Sequence, residues 1–299
     1  MIIGAGLAGL IAAHAFHGMP IVERGSCEEG HKALLRFRTE SVSRLTGIEF
    51  KKVRVRKGIW TQGKFSEPTI QLANCYSQKC LGELRGDRSI WNLDPVDRFI
   101  APEDFHSRLL AQVGDRIHWN TEADFNSGRP VTISTAPMPV AMAQVGMSVE
   151  GLEFGRSEIQ VLRYRIPKCD LYQTIYFPDT DTQLYRASIS GDTLIAEFVC
   201  NTIRDDWNWK VLVEKAFSLP CNGEWELTST TKQRYGKIAP IDNAIRKRIM
   251  LELTEKHNIF SLGRFATYRN ILLDDVVDDI AVVKRLIGAS SYERKLACI

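Results

Sequence analysis

Apolar residues at the start of the chain predict a short strand, a helix and a second strand, in that order. Met1-Ile2-Ile3 is followed by a glycine-rich turn, after which apolar residues recur at helical spacing. The helical stripe consists of Ile11, Ala12, Ala15 and Phe16. Gly18 predicts the end of this helix, and Pro20-Ile21-Val22-Glu23 predicts the second strand. The pattern indicates a β-α-β unit.

The middle of the chain has a different pattern of apolar and polar residues. Residues 49–96 contain turn residues at short intervals, which predicts β-rich structure. Residues 159–200 contain short alternating runs, which predict an antiparallel sheet. In the first stretch the predicted turns fall at Gly58, Gly63, Pro68 and Gly86. Further helices are predicted at 102–113, near 206–218, at 240–256 and at 274–287, and further strands at 116–119, 131–135 and 260–262.

The order of these elements predicts an α/β protein with two domains. The chain opens and closes with α/β structure and holds β-rich insertions between. We therefore expect a discontinuous, Rossmann-like cofactor domain formed by 1–48, 97–138 and 232–299. The inserted β-rich substrate domain is expected at 49–96 and 139–231.

Composition narrows the class of protein. Of 299 residues, 44% are hydrophobic and 25% are charged, as in ordinary soluble globular proteins. No apolar stretch reaches the ~18–20 residues of a membrane span, and the glycine turn starts too early for a targeting peptide. The seven cysteines are odd in number and lack Cys-x-x-Cys spacing. We expect a cytoplasmic protein with reduced thiols and no metal.

Positive charge is concentrated in one region. Between Arg36 and Lys57 lie eight basic residues and two acidic ones. Within this stretch Lys52-Val53-Arg54-Val55-Arg56 alternates like a strand with one cationic face. That face is interpreted either as a solvated surface or as a contact for a phosphate-bearing partner such as nucleic acid.

The glycine turn carries the strongest chemical signal. Gly4 permits a tight turn, Gly6 lets the backbone approach a pyrophosphate, and Gly9 lets the helix lie close to the sheet. Leu7 and Ala8 begin the helix whose N-terminus would face the phosphates. Glu23, with Arg24 beside it, falls where a carboxylate receives the adenosine ribose hydroxyls. The spacing predicts dinucleotide binding, without separating FAD from NAD.

Three segments resemble known flavoproteins. Gly4-Ala-Gly-Leu-Ala-Gly-Leu-Ile-Ala-Ala13 is similar to the opening of the amine oxidase, protoporphyrinogen oxidase and UDP-galactopyranose mutase flavoproteins. Ile133-Ser-Thr-Ala-Pro-Met138, which contains Thr135, looks like their strand that enters the substrate region. Leu262-Gly263-Arg264-Phe-Ala-Thr-Tyr-Arg269 resembles the Gly-Arg-x-x-Thr-Tyr segment of the mutases.

The resemblance implies an FAD site and assigns residues to it. Gly263 would let the backbone pass the flavin chain, and Arg264 would face the pyrophosphate. The residues implied along the ribityl chain and ring are Asn270, Ile271, Leu272 and Asp274. Arg36, in Arg36-Phe37-Arg38, is implied as a pyrophosphate or substrate-phosphate contact.

The sequence departs from the mutases after the Thr-Tyr pair. They continue Tyr-x-Asp, whereas Asn270-Ile271-Leu272 stands here. The whole chain more closely resembles small FAD-dependent oxidoreductases encoded by tailed bacteriophages, including those associated with thymidine hypermodification of DNA. That resemblance implies cleavage of a C–N bond in a glycine-like adduct of thymidine, leaving an aminomethyl pyrimidine, in the host cytoplasm. The expected partners are a small amine or modified-base substrate and, as a candidate, DNA.

Candidate catalytic residues follow from this chemistry. No second glycine fingerprint occurs after residue 30, so no NAD(P)H domain is expected and an oxidase is favoured. Asn74-Cys75-Tyr76-Ser77-Gln78-Lys79, interpreted at strand spacing, offers Tyr76 and Lys79 as proton acceptors or relays. Arg186 could bind a substrate carboxylate bidentately. The alternatives are an exposed polar turn for the first group and a surface pair for Tyr185-Arg186.

Two other functions stay open at this point. One is redox-neutral chemistry similar to that of the mutases, and the other is a flavin-bound, non-catalytic partner in a DNA-modification complex. The acidic residues Asp274, Asp275, Asp278 and Asp279 suggest a metal, but acids in the first turns of a helix also offset its dipole. The dipole interpretation is preferred.

Overall fold

The computed structural model describes residues 1–26, 35–84, 90–126, 128, 130–199, 208–219, 225–239 and 241–289. The predicted turn at Gly86 lies outside these residues, as does the start of the helix predicted near 206–218. Four cysteines also lie outside them, namely Cys27, Cys200, Cys221 and Cys298. The other three, Cys75, Cys80 and Cys169, are free thiols.

The strands and helices are numbered along the chain. The strands are β1 (Ile2–Ile3), β2 (Ile21–Val22), β3 (Arg36–Phe37), β4 (Lys51–Thr61), β5 (Lys64–Ser66), β6 (Val96–Ile100), β7 (Ile117–His118), β8 (Thr132–Ser134), β9 (Arg156–Arg165), β10 (Tyr172–Tyr176), β11 (Leu184–Ser190), β12 (Thr193–Phe198), β13 (Glu226–Ile238) and β14 (Ile259–Ser261). The helices are α1 (Leu7–Ala15), α2 (Ser41–Thr46), α3 (Ile70–Leu81), α4 (Phe105–Val113), α5 (Met138–Gln144), α6 (Trp209–Phe217), α7 (Asn243–His257) and α8 (Leu273–Ile287). A 3₁₀ turn at Gly114–Arg116 follows α4.

The chain divides into two compact units, each built from separate segments. Unit 1 comprises Met1–Lys51, Phe99–Gly155 and Pro240–Ile299, and unit 2 comprises Lys52–Arg98 and Arg156–Ala239. The boundary predicted between 231 and 232 falls inside β13. The cofactor and substrate roles given to the predicted domains stay predictions.

Unit 1 contains a five-stranded parallel sheet in the order β14-β8-β1-β2-β7. The strands are only two or three residues long. The side chains of β1, β8 and β14 are all buried, as expected for central strands of a parallel sheet covered on both faces. Ile2, Ile21 and Ile133 are 0% exposed and stand opposite one another in register. The predicted α/β class is confirmed, and the sheet of unit 1 is parallel.

Helix α1 forms where the apolar spacing predicts it. Ile11 and Ala12 are completely buried, and Ala15 and Phe16 are nearly so. The helix ends at Ala15, and Gly18 follows in the left-handed region with φ +78°. Its apolar stripe joins a core with residues of α4 and α8, including Leu109 and Ile280.

Unit 2 is built on a mainly antiparallel sheet. Its strands follow the order β13-β9-β12-β11-β10-β4, with β5 forming a hairpin on β4, and only the β10–β4 pair is parallel. Helix α6 covers one face, where Trp209 and Val213 pack into a core with Ile175 and Phe198. The antiparallel structure predicted for 159–200 is confirmed over the described residues 159–199.

The strand interpretation of residues 74–79 is wrong, because Ile70–Leu81 is helix α3. The Thr69 side chain caps this helix by accepting from the Leu72 amide at 3.1 Å, and Gly82 ends it at φ +74°. The buried residues recur at helical rather than strand spacing: Ala73, Tyr76, Ser77 and Cys80. Strand spacing would place Asn74, Tyr76 and Gln78 on one face, whereas in helix α3 the three do not share a face.

None of the helices in the described segments combines the length and apolar character that crossing a membrane requires.

Candidate nucleotide-binding site

The glycine turn of unit 1 lies at the carboxyl end of β1, where parallel α/β sheets bind ligands. Gly4 has φ +96°, and its amide donates to the carbonyl of Val22 at 2.9 Å. A Cβ atom at this position would lie 2.4 Å from Oγ1 of Thr135. Thr135 in turn donates through Oγ1 to the carbonyl of Ile3 at 2.8 Å. Position 4 thus requires glycine for two reasons: the positive φ of its backbone, and the closeness of the Thr135 side chain, which leaves no room for a Cβ atom.

Gly9 and Gly6 differ sharply in the space around them. A Cβ atom on Gly9 would lie 1.9 Å from the carbonyl oxygen of Gly4, so α1 lies against the turn at a distance that only glycine permits. A Cβ atom on Gly6 would meet nothing within 4 Å. Gly6 is exposed at the N-cap of α1, which receives no side-chain capping bond. Open space therefore lies beside Gly6 at the N-terminus of α1, as an anion site there requires.

Glu23 is joined directly to this turn. Its Oε2 accepts from the Ala5 amide at 2.8 Å, and its Oε1 accepts from the Gly25 amide at 2.7 Å. The carboxylate thereby links the end of β2 to the glycine turn after β1. Arg24 lies next to it and is exposed.

The Gly263-Arg264 turn reaches the same place from the far end of the sequence. It follows β14. Leu262, the residue directly after this strand, donates through its amide to the carbonyl of Ser134 at 2.9 Å. Gly263 has φ +89° and lies against Ala8 in the first turn of α1. Thr267 closes the turn by donating through its amide and its Oγ1 to the Gly263 carbonyl, at 3.0 and 2.8 Å.

The predicted flavin contacts follow this turn. The guanidinium of Arg264 lies 3.4 Å from Oδ1 of Asn270. Ile271 and Leu272 continue to the start of α8, and Leu272 is 48% exposed. Arg36 lies on β3, which pairs antiparallel with Ile100 and Phe99 at the end of β6.

Asp274 occupies the first turn of α8 and is almost completely buried. Its Oδ2 accepts from the backbone amides of Arg38 and Thr39, at 2.5 and 3.2 Å. Its Oδ1 is buried and has no hydrogen-bond partner among the described residues. A buried carboxylate oxygen without a donor is unfavourable, so a ligand donor at this position would be stabilising.

The neighbouring acids have separate roles. Asp275 caps α8 by accepting from the Leu272 amide at 2.8 Å, and Asp279 pairs with Arg269. Burial raises the pKa of Asp279 above its ordinary value. In the described part of the chain no group of three or more His, Cys, Asp or Glu side chains is arranged to hold a metal ion.

Lys79, predicted as a catalytic residue, lies in unit 2 on α3. Its Nζ donates to three backbone carbonyls, those of Phe177 at 2.8 Å, Asp179 at 2.6 Å and Leu184 at 2.6 Å. Burial lowers the pKa of Lys79 to about 8. All three ammonium protons are therefore used to hold β-strand ends together, which is a structural task.

Tyr76 and Arg186 lie in the same unit and belong to a polar cluster in its interior. Tyr76 is 3% exposed and packs edge-to-face on Tyr176, with ring centroids 5.5 Å apart. Burial raises the pKa of Tyr76 well above its ordinary value. Arg186 binds both carboxylate oxygens of Glu197, one of them at 2.6 Å, and Tyr185 donates to the same carboxylate at 3.0 Å.

Glu197 was not among the predicted site residues. A β-bulge between Leu184 and Arg186 brings both Tyr185 and Arg186 to this one carboxylate, which regular strand alternation forbids. One signal was present in the sequence: Glu197 interrupts the apolar run Leu194-Ile-Ala-Glu-Phe198. A single charge in a buried strand indicates a partner of opposite charge.

The cationic strand β4 has the predicted alternation. Val53 and Val55 are buried, while Lys52, Arg54 and Arg56 are exposed. Asp97 on β6 pairs with Lys52 at 3.2 Å and with Arg54 at 2.8 Å. One acid thus offsets part of the positive charge.

The chain shares its fold with several solved structures. An oxidoreductase from Methanosarcina mazei superposes with a TM-score of 0.55 at 9% identity, over 95% of this chain and 99% of that one. The rebeccamycin biosynthetic enzyme RebC, solved with reduced flavin, gives a TM-score of 0.54 at 11% identity, over 96% of this chain and 60% of RebC.

A third similar structure is p-nitrophenol 4-monooxygenase PnpA from Pseudomonas putida DLL-E4, with a TM-score of 0.51 at 11% identity over 97% of this chain and 81% of that one. At these identities the similarity is one of fold. No protein-family model and no curated protein sequence matches the chain.

Proposed function

We propose that this chain is an FAD-dependent oxidoreductase of amine-oxidase type. One observation carries the proposal: Gly9 lies so close to Gly4 that no other residue fits, while Gly6 beside it faces open space. Close helix packing with an open N-terminus is the arrangement in which backbone amides hold a pyrophosphate. Unit 1 is then the Rossmann-like FAD domain, and unit 2 the inserted substrate domain.

We assign residues of unit 1 to each part of FAD. The pyrophosphate would lie on the amides after Gly6, with Arg264 and Arg36 as the arginines assigned to phosphate. Glu23 would receive the adenosine ribose hydroxyls, exchanging amide bonds to Ala5 and Gly25 for bonds to the ligand. Asn270, Ile271 and Leu272 would line the flavin side, where Asp274 has an oxygen in need of a donor.

Known structures of this fold support the choice of a flavin. RebC was solved with reduced flavin, PnpA is a monooxygenase, and the Methanosarcina mazei protein is an oxidoreductase. When bound, FAD would supply two-electron redox chemistry. The protein would supply orientation, exclusion of water and a proton acceptor.

The amine substrate rests on the resemblance to the bacteriophage enzymes. We propose a glycine-like adduct of thymidine, whose C–N bond is oxidised or cleaved to leave an aminomethyl pyrimidine, with the base free or in DNA. The cationic face of β4 supports a polyanionic partner. Lys79 is engaged with three backbone carbonyls, and Arg186 is engaged with Glu197. Of the three catalytic candidates, we therefore favour Tyr76, whose hydroxyl takes no part in these contacts.

An anaerobic titration tests the proposal. Purified protein is reconstituted with FAD, and DNA carrying the glycine-like adduct is added while the flavin absorbance is followed. Bleaching, together with an aminomethyl pyrimidine in the digested DNA, is expected. Unmodified DNA of the same sequence is the control and should leave the spectrum unchanged.

Two other outcomes would redirect the assignment. Reduction of the flavin by NAD(P)H, followed by oxygen consumption only with an aromatic substrate, would favour a monooxygenase like PnpA. Protein that binds no FAD at all would remove the proposal.

A further inference from the structure

Arg38 connects the segment after β3 to the first turn of α8. Its Nη2 lies 2.5 Å from both carboxylate oxygens of Asp275, and its Nε lies 3.7 Å from Oδ2 of Asp274. The backbone amides of Arg38 and Thr39 donate to the same Oδ2 of Asp274. We name this group of four residues, Arg38, Thr39, Asp274 and Asp275, the Arg38 clasp.

The clasp fixes the backbone just before α8. Asp275 accepts from Arg38 and also from the Leu272 amide, so one carboxylate restrains both segments. Asp274 is held from the other side by two amides that belong to residues more than 230 positions earlier. A buried carboxylate held by two amides has little freedom to rotate.

The unpaired oxygen of Asp274 indicates what the clasp is for. Oδ2 takes both amides, and this leaves Oδ1 buried without a partner in the described part of the chain. The same clasp holds the amide of Leu272, the last of the residues Asn270-Ile271-Leu272 assigned to the flavin half of the cofactor. A group that only stabilised the fold would not need to leave an acceptor open.

We propose that Arg38 and Asp275 are positioning residues for the flavin half of the FAD site. They hold the start of α8 and Oδ1 of Asp274 against the ribityl chain and ring, while the adenosine half depends on the glycine turn and Glu23. This inference rests on the proposed function. It also gives Arg38 a task other than the phosphate contact that its place beside Arg36 suggests.

The two halves of FAD allow a direct test. Binding of FAD and of ADP, which lacks the flavin half, is measured by calorimetry for the wild type, Asp275→Asn, Arg38→Lys and Asp278→Asn. Asp275→Asn keeps an oxygen that can cap Leu272 but loses the charge that Arg38 binds. Asp278→Asn removes the same charge from the exposed side of α8 and is the matched control.

The expected result is selective. Asp275→Asn should weaken FAD binding about 10-fold, which is about 1.4 kcal/mol, and change ADP binding by less than about 2-fold. The visible circular dichroism of saturating FAD should also change, because the ring is held differently. Arg38→Lys should retain part of the affinity, since lysine keeps the charge but not the bidentate geometry.

Other results would overturn the inference. Equal weakening of FAD and ADP would show a general loss of structure, and FAD binding unchanged in both clasp variants would show that the clasp positions nothing. A wild-type protein that binds neither ligand would instead refute the FAD proposal itself, and the two failures are thereby distinguished.

Discussion

A Cβ atom placed on Gly263 would lie 2.9 Å from the Cβ of Ala8. Residues 255 positions apart in sequence are thus packed at the limit of steric contact. Gly263 also has φ +89°, a backbone conformation that side chains other than glycine rarely adopt. This contact joins the turn after β14 to the first turn of α1, where both segments are assigned to the cofactor.

Gly263→Ala should therefore destabilise unit 1 by about 2 kcal/mol, from combined strain and steric conflict. The double variant Ala8→Gly/Gly263→Ala should recover only part of this loss, because it relieves the contact but not the backbone strain. Chemical denaturation measures both effects. Full recovery would show that backbone conformation is irrelevant at this position.

Gly9→Ala should impair folding, whereas Gly6→Ala should impair ligand binding and leave the fold intact. Gly9→Ala forces a Cβ within 1.9 Å of a backbone carbonyl, so it should prevent proper folding of unit 1. Gly6→Ala meets no protein atom and should change stability by less than about 1 kcal/mol. It should nevertheless weaken FAD binding about 10-fold or more by occupying the space assigned to the pyrophosphate. Unaltered FAD affinity in Gly6→Ala would place the phosphates elsewhere.

Lys79 should make stability depend on pH between about 8 and 9.5. Its pKa is lowered by burial from 10.5 to about 8, so within this range the unfolded chain binds a proton that the folded chain does not. The free energy of unfolding should then rise with pH, by up to about 1.4 kcal/mol per unit. Above pH 10, ionisation of Tyr76 and Tyr185 in the unfolded state opposes this gain.

Lys79→Arg isolates this contribution, because arginine does not titrate in the range and other groups cancel in the comparison. The rise should disappear in Lys79→Arg and persist in Lys64→Arg, which alters an exposed lysine of the same unit. Identical pH profiles for wild type and Lys79→Arg would mean that the three carbonyls keep Lys79 charged throughout.

Glu197→Gln should destabilise unit 2 by about 2 kcal/mol, because it leaves the Arg186 guanidinium without a counter-charge in a partly buried site. Adding Arg186→Gln should cost less than the sum of the two single changes, which a double-mutant cycle measures. Glu226→Gln is the control: its pair with Arg165 is exposed, so a change below about 0.5 kcal/mol is expected. Equal losses for Glu197→Gln and Glu226→Gln would contradict the account of the cluster.

Local sequence patterns predict much of the fold but little of the region around the candidate catalytic residues. The Gly4-Gly6-Gly9 spacing and the stripe on α1 are short-range signals, and the structure has the turn and helix that they predict. The functional groups of Tyr76 and Lys79 suggested a strand with a polar face, and this interpretation does not predict helix α3. The signal for the helix is the spacing of Ala73, Ser77 and Cys80, which are buried along one side of it.

Long-range partners could not be predicted in the same way. The Arg38–Asp275 pair and the Arg186–Glu197 pair depend on where strands and helices meet in space, and neither has a spacing in the sequence that indicates it. The bulge at Tyr185 adds one residue to a ladder, an event that alternation of apolar and polar residues does not reveal.

The strand order of the parallel sheet bears on how the protein is made. Strand β1 is flanked by β2 and β8, and β8 receives its other neighbour, β14, only at residue 259. Every residue assigned to unit 2 has been synthesised by position 239, before β14 is made. At synthesis rates of about 5–20 residues per second, the first apolar strand waits roughly 15–50 s for its sheet to be complete. Purified chains that end just before β14 should therefore carry a folded unit 2 and an incomplete parallel sheet in unit 1.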